Sequence, residues 1–143
     1  MSDQQNLQIV KDAYAAFGRR DIPTVLKALT DDVEWAIPGE GVLPLGGVYH
    51  GRDGAARFFQ KLAETSEITS FEPRDFVAQG DRVVALGQSK GRIKATSRTF
   101  DVQWAMAFTI RDGKVSKFRE YTDTAALAAA YSGSATSALG ARS

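Results

Sequence analysis

Leu7, Val10, Tyr14 and Phe17 recur at helical spacing between Asp3 and Gly18, with Ile9 and Ala13 widening the stripe, and predict an amphipathic helix laid on an apolar surface. Ser2 or Asp3 can cap its start and Gly18 can end it. Asp21-Ile22-Pro23 reads as a second helix start, running from Ile22 to Leu29 and burying Val25, Leu26 and Leu29. Val33 to Ile37 alternates as a strand and stops at Pro38-Gly39. The stretch from Gly39 to Gly47 is glycine-rich yet carries Val42, Leu43 and Leu45, which suits a pocket rim or lid. A short extended piece, Val48 to His50, leads into a third helix from Gly51 to Glu64 with Ala56, Phe59, Leu62 and Ala63 on its buried side.

The remainder alternates with a period of two. Ile68 to Gln79 and Arg82 to Lys94 flank a Gly80-Asp81 turn, and Pro73 marks an edge or bulge in the first of them. The longest ribbon spans Arg98 to Asp123, its arms meeting at Asp112-Gly113, the strongest hairpin signal in the chain. Counted from that turn, Arg111 faces Lys114, Ile110 faces Val115, Ala107 faces Phe118, Ala105 faces Glu120 and Trp104 faces Tyr121. One face then carries Val102, Trp104, Met106, Phe108, Ile110, Val115, Arg119 and Tyr121. The other carries Asp101, Gln103, Ala105, Ala107, Thr109, Ser116, Phe118, Glu120 and Thr122. The bulky face, aromatic with one arginine, has the makeup of a subunit interface, and the small-residue face that of a cavity wall around one carboxylate. After Asp123 a short helix is expected, and Ser132 to Ser143, small and polar, reads as a disordered tail.

Helices followed by four consecutive strands predict an α+β protein in which three N-terminal helices pack in a curled, mostly antiparallel sheet whose wide end holds a cavity. At 143 residues the chain suits one domain, 1–131, followed by the tail. A formal charge of +1 argues against nucleic acid as a partner, and the cluster Lys90, Arg92, Lys94, Arg98 reads as a solvated hairpin end. With no cysteine and a single histidine, thiol chemistry and a histidine-rich metal site are excluded, and a reducing compartment fits. The polar N-terminus does not read as a targeting segment, and no apolar stretch reaches membrane-spanning length, so a cytoplasmic protein is expected.

Three segments, RRDIPTVLKALTDDVEW, VYHGRDGAARFF and RDGKVSKFREYTD, in the order helix, helix, strand, helix, four strands, make the chain resemble the SnoaL-like branch of the NTF2-like superfamily over roughly residues 3 to 130. The resemblance implies a cone-shaped α+β barrel, a homodimer formed through the sheet, here the face of Trp104, Met106, Phe108 and Tyr121, and a fold shared by ketosteroid isomerase, polyketide cyclases and non-catalytic binders. The base of ketosteroid isomerase would fall at Ile37, its oxyanion tyrosine near Ala13, beside Tyr14, and its protonated aspartate near Ala105. The acid/base aspartate of SnoaL-type cyclases would fall at Glu120, a carboxylate for a carboxylate, whereas the histidine that accompanies it has no counterpart on the preceding strand.

Glu120 is therefore the leading candidate for general acid/base work, with Tyr14 and His50 as polar partners. Trp35, Phe17, Phe59, Phe118, Gln103 and Asp101 are the candidate ligand contacts. The expected ligand is a small apolar molecule, handled without metal or cofactor, either by an isomerase, cyclase or dehydratase or by a binder that leaves it unchanged.

Overall fold

A computed structural model of the chain describes residues 2–132. The tail expected beyond Ser132 lies outside the described residues. Helix α1, Asp3–Gly18, begins in a capping box: the Gln5 amide donates to Ser2 Oγ at 3.1 Å and the Ser2 amide to Gln5 Oε1 at 2.9 Å. Its start is tied to the far side of the sheet, because the Gly80 amide donates to Asp3 Oδ1 and buried Asn6 donates to the Gly80 carbonyl, both at 2.9 Å. Helix α2, Ile22–Lys27, is capped by Asp21, which accepts from Thr24, with Pro23 in the first turn. It is shorter than the expected span. Ala28 ends it, and Leu29 already belongs to strand β1, Leu29–Ile37.

Strand β2, Gly47–His50, leads into α3, Gly51–Thr65, and β3, Ser66–Gln79, β4, Arg82–Ile93, β5, Thr99–Arg111, and β6, Lys114–Thr122, follow before α4, Thr124–Ser132. The six strands form one mixed, curled and unclosed sheet in the order β2-β1-β6-β5-β4-β3. All neighbours are antiparallel except β1 and β6, which run parallel with Trp35 level with Phe118. The helices fill the concave side. There α1 lies against β3 and β4, α3 against β1 and β2, and α4 against β5.

The β5–β6 ribbon departs from the simple register after three residues. Asp112 and Gly113 both have positive φ, 52° and 78°, as a type I′ hairpin turn requires, and Arg111–Lys114 and Ile110–Val115 pair as expected. Ser116 is then an extra residue: Thr109 pairs with Lys117, Met106 with Glu120, Ala105 with Tyr121 and Trp104 with Thr122. Val115 and Ser116 are consecutively buried, and the Ser116 hydroxyl bonds the Thr109 carbonyl at 3.2 Å. A one-residue bulge reverses every later side chain of β6. Phe118 and Glu120 therefore share the inner face with Val102, Trp104, Met106 and Phe108, while Lys117, Arg119 and Tyr121 face outward with Ala105 and Ala107.

The expected association face of Trp104, Met106, Phe108 and Tyr121 therefore does not exist as a unit. Trp104, Met106 and Phe108 are buried against the chain's own helices and Tyr121 alone is exposed.

Two glycines of β4 let large rings lie flat on the inner surface. Gly87 is level with Trp104 and Gly91 with Phe100, and a Cβ at either position would come within 2.7 Å of the ring opposite. Aromatic contacts continue from there across the core. Phe71 stacks on Trp104 at 5.1 Å and Trp35 stacks on Phe118 at 3.9 Å, their planes only 15° apart.

Candidate functional site

Between the helices and the inner sheet lies a cavity of about 160 Å³. Helix α1 contributes Tyr14 and Phe17 to it, β1 contributes Trp35 and Ile37, and α3 contributes Phe58, Phe59 and Leu62. The floor is Trp104, Met106, Phe108, Phe118 and Glu120. The glycine-rich loop between β1 and β2 closes one side with Leu43 and Leu45, both buried, while Val42 at its tip stays 72% exposed. This loop is folded on itself: the amides of Val42 and Leu43 both donate to the Gly39 carbonyl. Leu127 and Tyr131 of α4 close another side, the helix being held by a hydrogen bond of 2.6 Å from Thr96 Oγ1 to the Ala130 carbonyl.

The lining is almost wholly apolar, so its few polar groups set its chemistry. Among the described residues, Glu120 is the one acidic or basic side chain of the wall. Its carboxyl has no hydrogen-bond or ion-pair partner among the described residues, and burial pushes its pKa from 4.5 up to about 7. It is only partly accessible and lines the cavity. Opposite it, the Tyr14 hydroxyl donates to Met106 Sδ at 3.1 Å. Burial, and then the neighbouring Glu120 charge, raise the tyrosine pKa, so Tyr14 is a neutral phenol at any physiological pH. The Tyr14 ring sits among Phe71, Phe76, Trp104 and Phe108, all within 6.0 Å centre to centre. The indole N–H groups of Trp35 and Trp104 are buried with no acceptor among the described residues.

Of the residues singled out from the sequence, Glu120, Tyr14, Trp35, Phe17, Phe59 and Phe118 line the cavity together. Three do not. His50 occupies the N-cap position of α3 without a side-chain capping bond, at an exposed position of the edge strand, level with Glu34 and outside the cavity. Asp101 and Gln103 lie exposed on the outer face of β5, where Asp101 accepts from Gln88 at 2.8 Å. The bulge does not move them: β5 alternates without interruption, and its inner face is the bulky one of Val102, Trp104, Met106 and Phe108. Trp104, Met106 and Phe108 are among the wall residues missed, and the available signal was that a strand under the helices turns its bulkiest side toward them. Ile37, where the resemblance puts the base of ketosteroid isomerase, does line the cavity and brings no proton acceptor to it. Among the described residues no group of three or more His, Asp or Glu side chains is arranged to hold a metal ion, and no helix is long and apolar enough to cross a membrane.

Residues 10–118 match the model of the SnoaL-like domain. An NTF2-like protein of Burkholderia xenovorans LB400, known from its crystal structure, is 49% identical and superposes with a TM-score of 0.83, covering 91% of this chain and 98% of that one. TerC, co-crystallised with polyporic acid, is 31% identical with a TM-score of 0.81 over 90% of this chain and 98% of its own. An uncharacterised protein of Mycobacterium tuberculosis H37Rv is 25% identical over 127 residues, 88% of this chain and 95% of that protein.

Proposed function

The chain belongs to the SnoaL-like domain family within the NTF2-like superfamily, and from that premise we propose that its cavity receives a compact hydrophobic molecule on which Glu120 acts as general acid or base. The observation that carries this reading is a lone carboxyl in an apolar cavity, its pKa pushed to about 7, where proton uptake and release are both available at neutral pH. The co-crystal of TerC with polyporic acid, a relative 31% identical, supports a small-molecule role for the same fold. A cavity of about 160 Å³ sets the size of what enters, because a benzene-sized ring fills an apolar cavity of roughly 150 Å³. A larger substrate would enter only as the Leu43–Leu45 loop or α4 gave way.

The proton-transfer reading covers an isomerase, a cyclase or a dehydratase. Glu120 takes a proton from an activated carbon or delivers one to a leaving oxygen, while the N–H groups of Trp35 and Trp104, and the Tyr14 hydroxyl once it leaves Met106, are donors available within the wall for a developing oxyanion. One observation favours a second reading, a binder that leaves its ligand unchanged. Tyr14 commits its proton to a sulfur, and no histidine stands near Glu120, so the carboxyl acts alone.

Deuterium uptake separates the two. With phenylacetone as probe in D₂O, NMR would show exchange beside the carbonyl accelerated by the wild type on the order of 10²-fold or more over Glu120→Gln, although both bind the ketone. Equal binding with no acceleration by either protein would leave only the binder.

The homodimer implied by the resemblance we place on the outer face of the sheet, opposite to the cavity. There Val77, Leu86 and Tyr121 are 63%, 43% and 56% exposed, and the rows Leu86-Ala105-Tyr121 and Val77-Val84-Ala107-Arg119 bring apolar and small residues together around one arginine.

A further inference from the structure

Beside the cavity, between the end of α1, the start of α2, the end of α3 and strand β3, runs a wider groove of about 610 Å³. It adjoins the cavity, since Phe17, Phe59, Leu62, Ser66, Ile68 and Phe71 line both. Unlike the cavity it is cationic: Arg20 and Lys94 line it, and its one acidic residue, Glu67, is already paired with Arg92 at 3.3 Å. The Arg20 guanidinium has no hydrogen-bond or ion-pair partner among the described residues, in contrast to Arg19 beside it, which pairs with Asp21 at 3.8 Å. Lys94 spends one of its three N–H donors on the Ala63 carbonyl, at 2.8 Å, and keeps two.

The backbone gives Arg20 further weight. Helix α1 ends in a Schellman motif, with the Asp21 amide on the Ala16 carbonyl and the Arg20 amide on the Phe17 carbonyl, both at 2.9 Å. The residue after the C-cap of such a motif is left-handed, and Arg20 has φ 61°. Glycine takes this position without strain, whereas here an arginine occupies it, among the residues that line the groove.

We propose that this groove is the head-group subsite of the cavity's ligand, so that the molecule the protein takes is an amphipathic carboxylate, its apolar body in the cavity and its carboxylate on Arg20 and Lys94. The inference rests on the reading of the cavity as a ligand site. Polarity runs the right way for it. Glu120 lines the cavity and not the groove, so a ligand placed carboxylate-inward would meet a like charge, and one placed ring-inward would leave its own charge beside two cations.

The test uses the full chain and the ω-phenylalkanoates from phenylacetate to 6-phenylhexanoate, each beside its methyl ester, titrated calorimetrically at pH 8. At least one acid is expected to bind about tenfold more tightly than its ester, with 0.5 M NaCl weakening the acid and not the ester. Arg20→Gly, which relieves the left-handed strain and should not lower the Tm, is expected to abolish the preference while leaving the ester unchanged, and Lys94→Gln to reduce it. Acid and ester of equal affinity in the wild type, or an acid preference intact in Arg20→Gly, would overturn the head-group subsite and leave the cavity reading standing. Failure of every acid and every ester to bind would overturn the cavity reading and this inference with it.

Discussion

Glu120→Gln should make the protein more stable, and only above the acid range. In the unfolded chain the carboxyl titrates near 4.5, and in the folded protein burial moves it to about 7. Below pH 4.5 both states hold the proton and the residue costs nothing. As the pH rises toward 7 the unfolded state gives up its proton first, and above 7 the folded state carries a buried charge that the unfolded state does not. A rise from 4.5 to about 7, at about 1.4 kcal/mol for each tenfold, is a penalty on the order of 3 kcal/mol, complete above the folded-state pKa. Glutamine matches the shape of the protonated acid and cannot ionise. Urea unfolding of both proteins should therefore coincide within about 0.5 kcal/mol at pH 4 and diverge to about 3 kcal/mol in favour of the variant at pH 8.5, on the order of 10 °C in Tm. Subtracting one profile from the other removes the contributions common to both proteins. A difference that stays flat between pH 4 and pH 8.5 would refute the placement of Glu120 in the apolar cavity.

Phe118→Ala removes the ring stacked at 3.9 Å on Trp35 and should cost about 3–5 kcal/mol in chemical denaturation, while enlarging the cavity enough for naphthalene to bind better than benzene. Gly87→Val drives a side chain into the Trp104 ring and the Glu72 carbonyl, each 2.5 Å from the added Cβ, and should cost about 1–3 kcal/mol or more in the same assay. Gly80→Ala, whose added Cβ meets nothing within 4 Å, should lose only about 1–2 kcal/mol to its φ of +60°. On the outer face, Leu86→Glu and Tyr121→Glu should convert a dimer to a monomer in sedimentation at micromolar concentration with little change in monomer stability. A wild type that sediments as a monomer would contradict the outer-face dimer.

Most elements are legible because each carries its own punctuation. The α1 stripe, the Asp21 cap, the Gly80-Asp81 and Asp112-Gly113 turns and the third helix follow from local rules that the tertiary structure leaves intact. The parallel pairing of β1 with β6 is not legible in that way, because the strands are far apart in sequence and no local signal names the partner. Nor is the early end of α2, where Leu29 and Val33 have a helix-compatible spacing but are buried from a strand. Gly87 and Gly91 on β4, level with Trp104 and Phe100 on β5, do leave a trace: two glycines and two aromatics, each four apart, on strands joined by one turn.

The carboxylate at position 120 can be picked from the sequence, but its surroundings cannot, and Ser116 is the reason. A hairpin with an ideal turn and an unbroken alternation has one register, in which Glu120 belongs with Ala105 and Ala107. One additional residue, buried beside Val115 and bonded to Thr109, moves the carboxyl to the opposite side of the sheet. On the small-residue side Glu120 would stand in water beside Ala105 and Ala107 and titrate as an ordinary glutamate. On the bulky side it faces Met106 and Tyr14, loses its hydration, and acquires a pKa from which it can act at neutral pH. The chemistry available to this cavity thus depends less on the choice of glutamate than on a bulge four residues before it, a device that enters the alternating pattern as no more than a serine between a valine and a lysine.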